Sequence, residues 1–82
     1  MQVEGFTLLT GRVLGPVVTY HDHGPKAVFT LVWRGIRWYV ESVEEPLARQ
    51  AEKLAPNQEV TVVGYLFPRG GKVGVRASKI FS

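Results

Sequence analysis

Aromatic and basic side chains alternate within two short segments of this 82-residue sequence. An aromatic ring can stack on a nucleobase for about 1–3 kcal/mol, and a cation beside it can neutralise a phosphate. The alternation therefore indicates a surface for single-stranded nucleic acid. The candidate residues of the two segments are Trp33, Arg34, Arg37, Trp38 and Tyr39, followed by Phe67, Arg69 and Lys72.

Charge is distributed unevenly along the chain. Most acidic residues lie between positions 41 and 59, whereas residues 60–82 contain no acidic residue, and the net charge is +3. This segregation predicts a basic surface that attracts polyanions, and it adds Arg76, Arg12 and Lys26 to the candidate phosphate contacts. Contact of five cations with phosphates would make log K fall with log salt at a slope of about −3.5. Those five are Arg34, Arg37, Arg69, Lys72 and Arg76.

No catalytic or metal-binding pattern is evident in the sequence. His21 and His23 flank Asp22, but the chain has no cysteine and signals no further metal ligands. Gly70 and Gly71 precede a predicted strand, whereas a phosphate-binding loop requires a helix at that point. We therefore expect a non-catalytic protein without a metal or cofactor.

The sequence also bears on the compartment. No apolar run approaches the roughly 18 residues that a membrane-spanning helix needs, and the N-terminus lacks the basic region of a signal peptide. We expect a cytoplasmic protein that does not associate with a membrane.

The pattern of β-forming residues and turns predicts five strands and one helix. A long first strand, Phe6–Tyr20, should bend or bulge at its glycines, and the later strands are expected at Lys26–Trp33, 36–43, 60–67 and 73–80. The order, with the helix between strands 3 and 4, is that of the mainly β, five-stranded Greek-key OB-fold barrel. An SH3-like barrel is the alternative, but it would not place a helix there. We expect residues 1–82 to form a single OB-fold domain with no linker and no disordered acidic tail.

The helix prediction rests on the spacing of Leu47, Ala51 and Leu54, which places them on one face, with Ala48 and Ala55 widening it. The helix should run for about three turns and end at Pro56-Asn57. At its start, Ser42 and Glu45 fit a capping box, or Pro46 occupies the first helical position.

A two-residue turn at Arg34-Gly35 would set the register of strands 2 and 3. One face would then be entirely apolar and belong to the core, with Phe29, Leu31, Trp33, Ile36, Trp38 and Val40. The opposite face would be the ligand side, with Val28, Thr30, Val32, Arg37, Tyr39 and Glu41. A bulge at the turn would reverse the orientation of Trp38, so core packing and base stacking both stay open for each tryptophan.

Several stretches resemble bacterial single-stranded DNA-binding proteins and the related primosomal replication protein B family. They are residues 11–13, 26–31, 60–66 and 75–80, together with the spacing from Trp38 to Leu47-Ala48. The resemblance implies an OB fold that binds single-stranded DNA, with Trp38 at the position of a stacking tryptophan. It also implies a homodimer formed through the first strand, where Phe6 and Leu8 are available for contact.

Replicative members of that family recruit partners through a flexible acidic tail. This sequence ends on its last predicted strand, so we expect an accessory role in DNA replication, repair or primosome assembly, with replication or primosome proteins as further partners. Two alternatives stay open: a single-stranded RNA binder, and a protein-interaction OB module whose aromatics contact another protein.

Overall fold

Five strands and one helix follow one another in the order predicted from the sequence. A computed structural model describes residues 6–21, 24 and 26–82; Asp22, His23 and Pro25, in the loop expected between the first two predicted strands, lie outside these residues. In this part of the chain, no helix has the length and apolar character needed to cross a bilayer. The elements are β1 (Phe6–Tyr20), β2 (Lys26–Trp33), β3 (Ile36–Ser42), α1 (Glu45–Glu52), β4 (Glu59–Arg69) and β5 (Lys72–Phe81).

The strands form a closed barrel in the order β1-β2-β3-β5-β4. All neighbouring strands are antiparallel except β3 and β5, which run parallel. Closure depends on β1, whose first half pairs with β4 and whose second half pairs with β2. The register of β1 against β2 shifts between Leu14 and Val18, around Gly15 at φ +73°. The predicted bulge is therefore confirmed at Gly15.

The core contains apolar side chains from all five strands and from α1. The helix packs against β1, β2, β3 and β5. Burial of these side chains removes apolar surface from water, which is the main stabilising term for a chain of this size. The buried residues are Leu9, Val13, Ala27, Phe29, Leu31, Val40, Leu47, Ala48, Ala51, Leu54, Val60, Val62, Val75, Ala77 and Ile80.

The helix is shorter than predicted. It spans eight residues, and the Lys53 and Leu54 amides bond to carbonyls three residues back, which tightens the chain into a turn. The prediction that it continues to Pro56-Asn57 was wrong, and Ala55 is exposed. The capping box was wrong too, because Ser42 is a buried residue at the end of β3 and Glu44 occupies the N-cap without a side-chain bond.

The β2–β3 and β4–β5 hairpins both end in two-residue turns. The central residues have positive φ in each, at Arg34-Gly35 (53° and 76°) and at Gly70-Gly71 (54° and 81°), as type I′ turns require. The connection between the last two strands is therefore shorter than the predicted strand ends at 67 and 73 imply, because β4 extends to Arg69 and Arg69 pairs with Lys72. Arg37, Arg69 and Lys72 therefore lie in paired strands, and Arg34 lies in the turn that joins β2 to β3.

Candidate nucleic-acid interface

Nine residues form a three-by-three grid on the outer face of β3, β5 and β4. Cross-strand pairing aligns Tyr39 with Gly74 and Phe67, and it aligns Glu41 with Arg76 and Tyr65. Alternate residues of a strand share a face, so the row beyond Tyr39 consists of Arg37, Lys72 and Arg69. We call these nine residues the outer grid.

The central row of the outer grid is an aromatic pair that rests on a glycine. The rings of Tyr39 and Phe67 meet edge to face, with centroids 6.3 Å apart and planes at 67°. A Cβ at Gly74 would lie 2.8 Å from Phe67 Cζ and 3.1 Å from Tyr39 Cδ2, so the two rings occupy the space above this glycine. The pair is therefore held at a fixed position by three strands.

An arginine lies over each ring of this pair. The guanidinium carbon of Arg69 is 3.7 Å from the Tyr39 centroid, and that of Arg76 is 5.1 Å from the Phe67 centroid. Both distances are within the range of a cation–π contact. The Arg69 cation thus occupies the Tyr39 face that a base would use, whereas the Arg76 cation lies farther from the Phe67 ring.

A cleft of about 340 Å³ lies beside the Tyr39 ring. Thr30 was predicted to lie on the ligand side, whereas Leu14 and Val73 were not predicted. The other five lining residues were predicted contacts: Arg37, Trp38, Tyr39, Arg69 and Lys72. It therefore combines an aromatic face with three cations, which are the two components of a single-strand binding surface.

The predicted cations fall into three groups. Arg34, Arg37, Arg69 and Lys72 form no ion pair with any residue that the structure describes, whereas Arg76 and Lys26 both pair with Glu41. Arg12 donates from Nη1 to the carbonyl oxygen of Asn57 at 2.9 Å. The first four are thus the cations with most freedom to contact a phosphate.

The predicted β2–β3 register is confirmed, since Trp33 pairs with Ile36 and Leu31 with Trp38. The assignment of that whole face to the core was wrong, because Ile36 is 52% exposed at the hairpin tip. Trp33 and Trp38 are half-buried, pack against the core and meet edge to face at 6.4 Å.

Each tryptophan also borders a cleft. Trp38 lines the cleft beside Tyr39, and Trp33 lines a second cleft of about 420 Å³ together with Arg12, Arg34 and Glu59. Leu14 lines both clefts, so they are neighbours on the barrel surface. The Arg34 guanidinium lies 4.9 Å from the Trp33 ring.

Sequence reasoning missed the roles of Glu41 and Gly74. Glu41 was predicted to be a ligand-side residue, but it is only 3% exposed because cations cover its carboxylate. Gly74 lies between Val73 and Val75 in β5, and a glycine inside a strand is a known sign of close approach by another group. That signal was available in the sequence.

Comparison with known proteins gave matches only among solved structures, since no protein-family model and no curated protein matches the chain. The SSB domain of a Synechococcus sp. protein aligns over 100% of this chain and 99% of its own, with TM-score 0.85 and 15% identity. The small single-stranded DNA-binding protein of Streptomyces coelicolor aligns over 98% and 92%, with TM-score 0.82 and 20% identity. The second single-stranded DNA-binding protein of Mycobacterium smegmatis aligns over 95% and 87%, with TM-score 0.80 and 22% identity.

The chain has the OB fold. The predicted mainly β, five-stranded barrel with one helix between β3 and β4 is thereby confirmed. OB folds that bind oligonucleotides do so on the β2–β3 face and on the loops that join strands 1–2 and 4–5. The cleft beside Tyr39 is lined by β2, β3 and the β4–β5 hairpin, so it lies in this region of the OB barrel.

A second surface, which is apolar and shares Tyr65 with the outer grid, covers the outer side of the first half of β1. Phe6 and Leu8 are 48% and 60% exposed, and Phe6 contacts the Tyr65 ring edge to face at 5.4 Å. Leu8 pairs with Val63 on β4, and the exposed Phe81 follows on β5. We call Phe6, Leu8, Val63, Tyr65 and Phe81 the β1 patch.

Proposed function

We propose that this OB barrel binds single-stranded DNA and catalyses no reaction. The observation that carries the proposal is the outer grid, where a fixed aromatic pair lies beside cations that pair with no described carboxylate. Bases would stack on Tyr39 and Phe67, and phosphates would contact Arg34, Arg37, Arg69 and Lys72. The three solved structures support this assignment, because each is named for single-stranded DNA binding or as an SSB domain.

Base stacking on Tyr39 requires a change in the position of Arg69. The Arg69 guanidinium already lies 3.7 Å from the ring centroid, which is close to the spacing of stacked planar groups. An incoming base would take that position, and the exposed Arg69 side chain would turn to a phosphate. The exchange replaces one planar partner of the ring by another, so the ring face is not left in water.

The tryptophans have a secondary role in this proposal. Both pack against the core on one side, so a strand in the clefts would contact only their remaining surface. We therefore expect moderate quenching of tryptophan fluorescence on binding, not the strong quenching of a fully stacked indole.

The test is a titration of fluorescein-labelled oligo-dT followed by anisotropy at four salt concentrations. With four phosphate contacts, log K should fall against log salt with a slope of about −2.8. Arg37→Gln should reduce the magnitude of that slope by about 0.7, whereas Lys79→Gln, outside the outer grid, should leave it unchanged.

Absence of binding at low salt, or binding that does not respond to salt, would contradict the proposal and favour a protein-interaction module. Titration with oligo-U of the same length separates the nucleic acids. Equal affinity for oligo-U would extend the ligand class to single-stranded RNA.

We further propose that two copies associate through the β1 patch. Phe6 and Leu8 are strongly exposed there, and a chain of this size gains stability when such surface is buried.

Leu8→Glu should convert the dimer to a monomer in sedimentation velocity, because a carboxylate would be buried without a partner. Val43→Glu, at an exposed apolar residue outside the patch, is the control. A monomeric wild type, or a dimeric Leu8→Glu variant, would refute this interface.

An accessory role in DNA replication, repair or primosome assembly is the pathway that we propose. It is supported by the sequence resemblance to primosomal replication protein B. Single-strand binding is the activity that such a role requires of the OB barrel.

A further inference from the structure

Glu41 is a buried carboxylate on the face that is proposed to bind single-stranded DNA. Its Oε2 accepts a hydrogen bond from Arg76 Nε at 2.8 Å and lies 2.7 Å from Arg76 Nη2 in an ion pair. Its Oε1 lies 3.3 Å from Lys26 Nζ and accepts from the Tyr39 hydroxyl at 3.5 Å. Two cations and an aromatic residue of the candidate interface are therefore attached to one anion.

This arrangement divides the outer grid electrostatically. On one side of the aromatic row lie Arg37, Lys72 and Arg69, which have no carboxylate partner among the described residues. On the other side, Glu41 cancels one of the two charges of Arg76 and Lys26. Its contacts with Arg76 are short and charge-assisted, and its contact with Lys26 is a longer ion pair. Three cations on one side thus keep their full charge for a polyanion, whereas Arg76 and the adjoining Lys26 together keep one net positive charge.

The contact with Arg76 is costly to break. A carboxylate that is 4% exposed has lost most of its hydration, so loss of its partners would leave a buried charge uncompensated. A DNA phosphate is exposed to water and offers Arg76 a replacement anion, but it cannot compensate Glu41. Glu41 therefore retains Arg76 and Lys26 against competition from the ligand.

We propose that Glu41 withholds Arg76 and Lys26 from the phosphates of bound single-stranded DNA, so that the DNA backbone follows the Arg37–Lys72–Arg69 side of the outer grid. This inference rests on the proposed function. It removes Arg76 and Lys26 from the set of phosphate contacts predicted from the sequence. In this role Glu41 is a positioning residue, since it acts through the two cations without contacting the DNA.

Glu41→Gln tests the inference directly, because glutamine keeps the shape of the side chain and removes its charge. With Arg76 and Lys26 released, the slope of log K against log salt should steepen from about −2.8 to between about −3.5 and −4.2. Affinity for oligo-dT at 50 mM salt should rise about tenfold. Glu52→Gln on the exposed face of α1 makes the same change in net charge and should leave the slope unaltered. A slope in Glu41→Gln that matches Glu52→Gln, or is shallower than wild type, would overturn the inference.

A second pair of variants covers the case in which Glu41→Gln fails to fold. Arg69→Gln and Arg76→Gln each remove one arginine from the outer grid. Arg69→Gln should make the slope shallower by about 0.7, whereas Arg76→Gln should change it by less than half of that amount. Equal reductions in the two variants would show that Arg76 contacts phosphate and would refute the inference.

Retention on a heparin column separates this inference from the proposed function, because heparin is a polyanion without bases. Glu41→Gln should elute at higher salt than Glu52→Gln even if no variant binds oligo-dT. Identical elution of the two would overturn the Glu41 inference alone. Failure of the wild-type protein to bind oligo-dT would overturn the proposed function, and the heparin result would still decide the role of Glu41.

Discussion

Replacement of both Tyr39 and Phe67 by leucine is expected to weaken oligo-dT binding by about 30-fold or more. Each ring that stacks on a base contributes about 1–3 kcal/mol to the binding free energy. Leucine keeps an apolar side chain on the outer face of the sheet but provides no flat face for a base. The salt dependence should stay at the wild-type slope, because Arg37, Arg69 and Lys72 are unchanged. Anisotropy titrations at four salt concentrations measure both quantities.

Phe81→Leu is the matched control, since it removes an exposed ring of the β1 patch, outside the outer grid, and leucine keeps an apolar side chain there for association of two copies. It should bind as the wild-type protein does. The single Tyr39 and Phe67 variants complete a double-mutant cycle, and contact between the rings predicts that their effects do not add. Wild-type affinity in the double variant would exclude these rings as the stacking surface.

Gly64→Ala is expected to destabilise the fold by about 3 kcal/mol, the largest stability effect that we predict for a single substitution. A Cβ at this position of β4 would lie 2.2 Å from the backbone oxygen of Arg76 and 3.0 Å from Ala77 Cα. Both atoms belong to the backbone of β5, so the strands themselves must separate, at a point where their register already shifts. For a domain of this size, the midpoint of thermal unfolding should fall by about 12–24 °C.

Gly15→Ala separates this steric effect from the general cost of replacing a glycine. Gly15 has a positive φ of 73°, but a Cβ at this position would meet no atom within 4 Å, so only backbone strain of about 1 kcal/mol is expected. Differential scanning calorimetry of both variants provides the comparison. A smaller shift in Gly64→Ala than in Gly15→Ala would mean that β4 and β5 adjust without cost.

Local sequence signals predicted most of the architecture. The β-branched run of β2 predicted the bounds of that strand, and the turn residues Arg34-Gly35 predicted the register of the β2–β3 hairpin. Both predictions agree with the structure. The glycines of β1 predicted its bulge, because a backbone with positive φ favours glycine whatever the rest of the fold. The end of α1 was less predictable, since Leu54 continues the apolar stripe and is buried although the helix has already ended.

The electrostatic division of the candidate interface could not be predicted in the same way. Glu41 and Arg76 are 35 positions apart in sequence and meet only because β3 and β5 pair in parallel across the barrel closure. No local sequence pattern predicts such a pairing, so Arg76 and Arg69 were predicted to be equally available to contact a phosphate. The tryptophans stayed undecided for a related reason, because strand parity determines which way a side chain points but not where the barrel interior ends.

The arginines that lie over Trp33, Tyr39 and Phe67 affect the protein when no nucleic acid is bound. Uncovered flat rings on a surface promote aggregation, whereas a guanidinium is weakly hydrated and shields a ring with little loss of solvation. Two copies that approach each other through this surface would also bring like charges together. Under the proposed function, we therefore expect these ring faces not to adhere to a second copy, so that the free protein stays available for the next exposed strand.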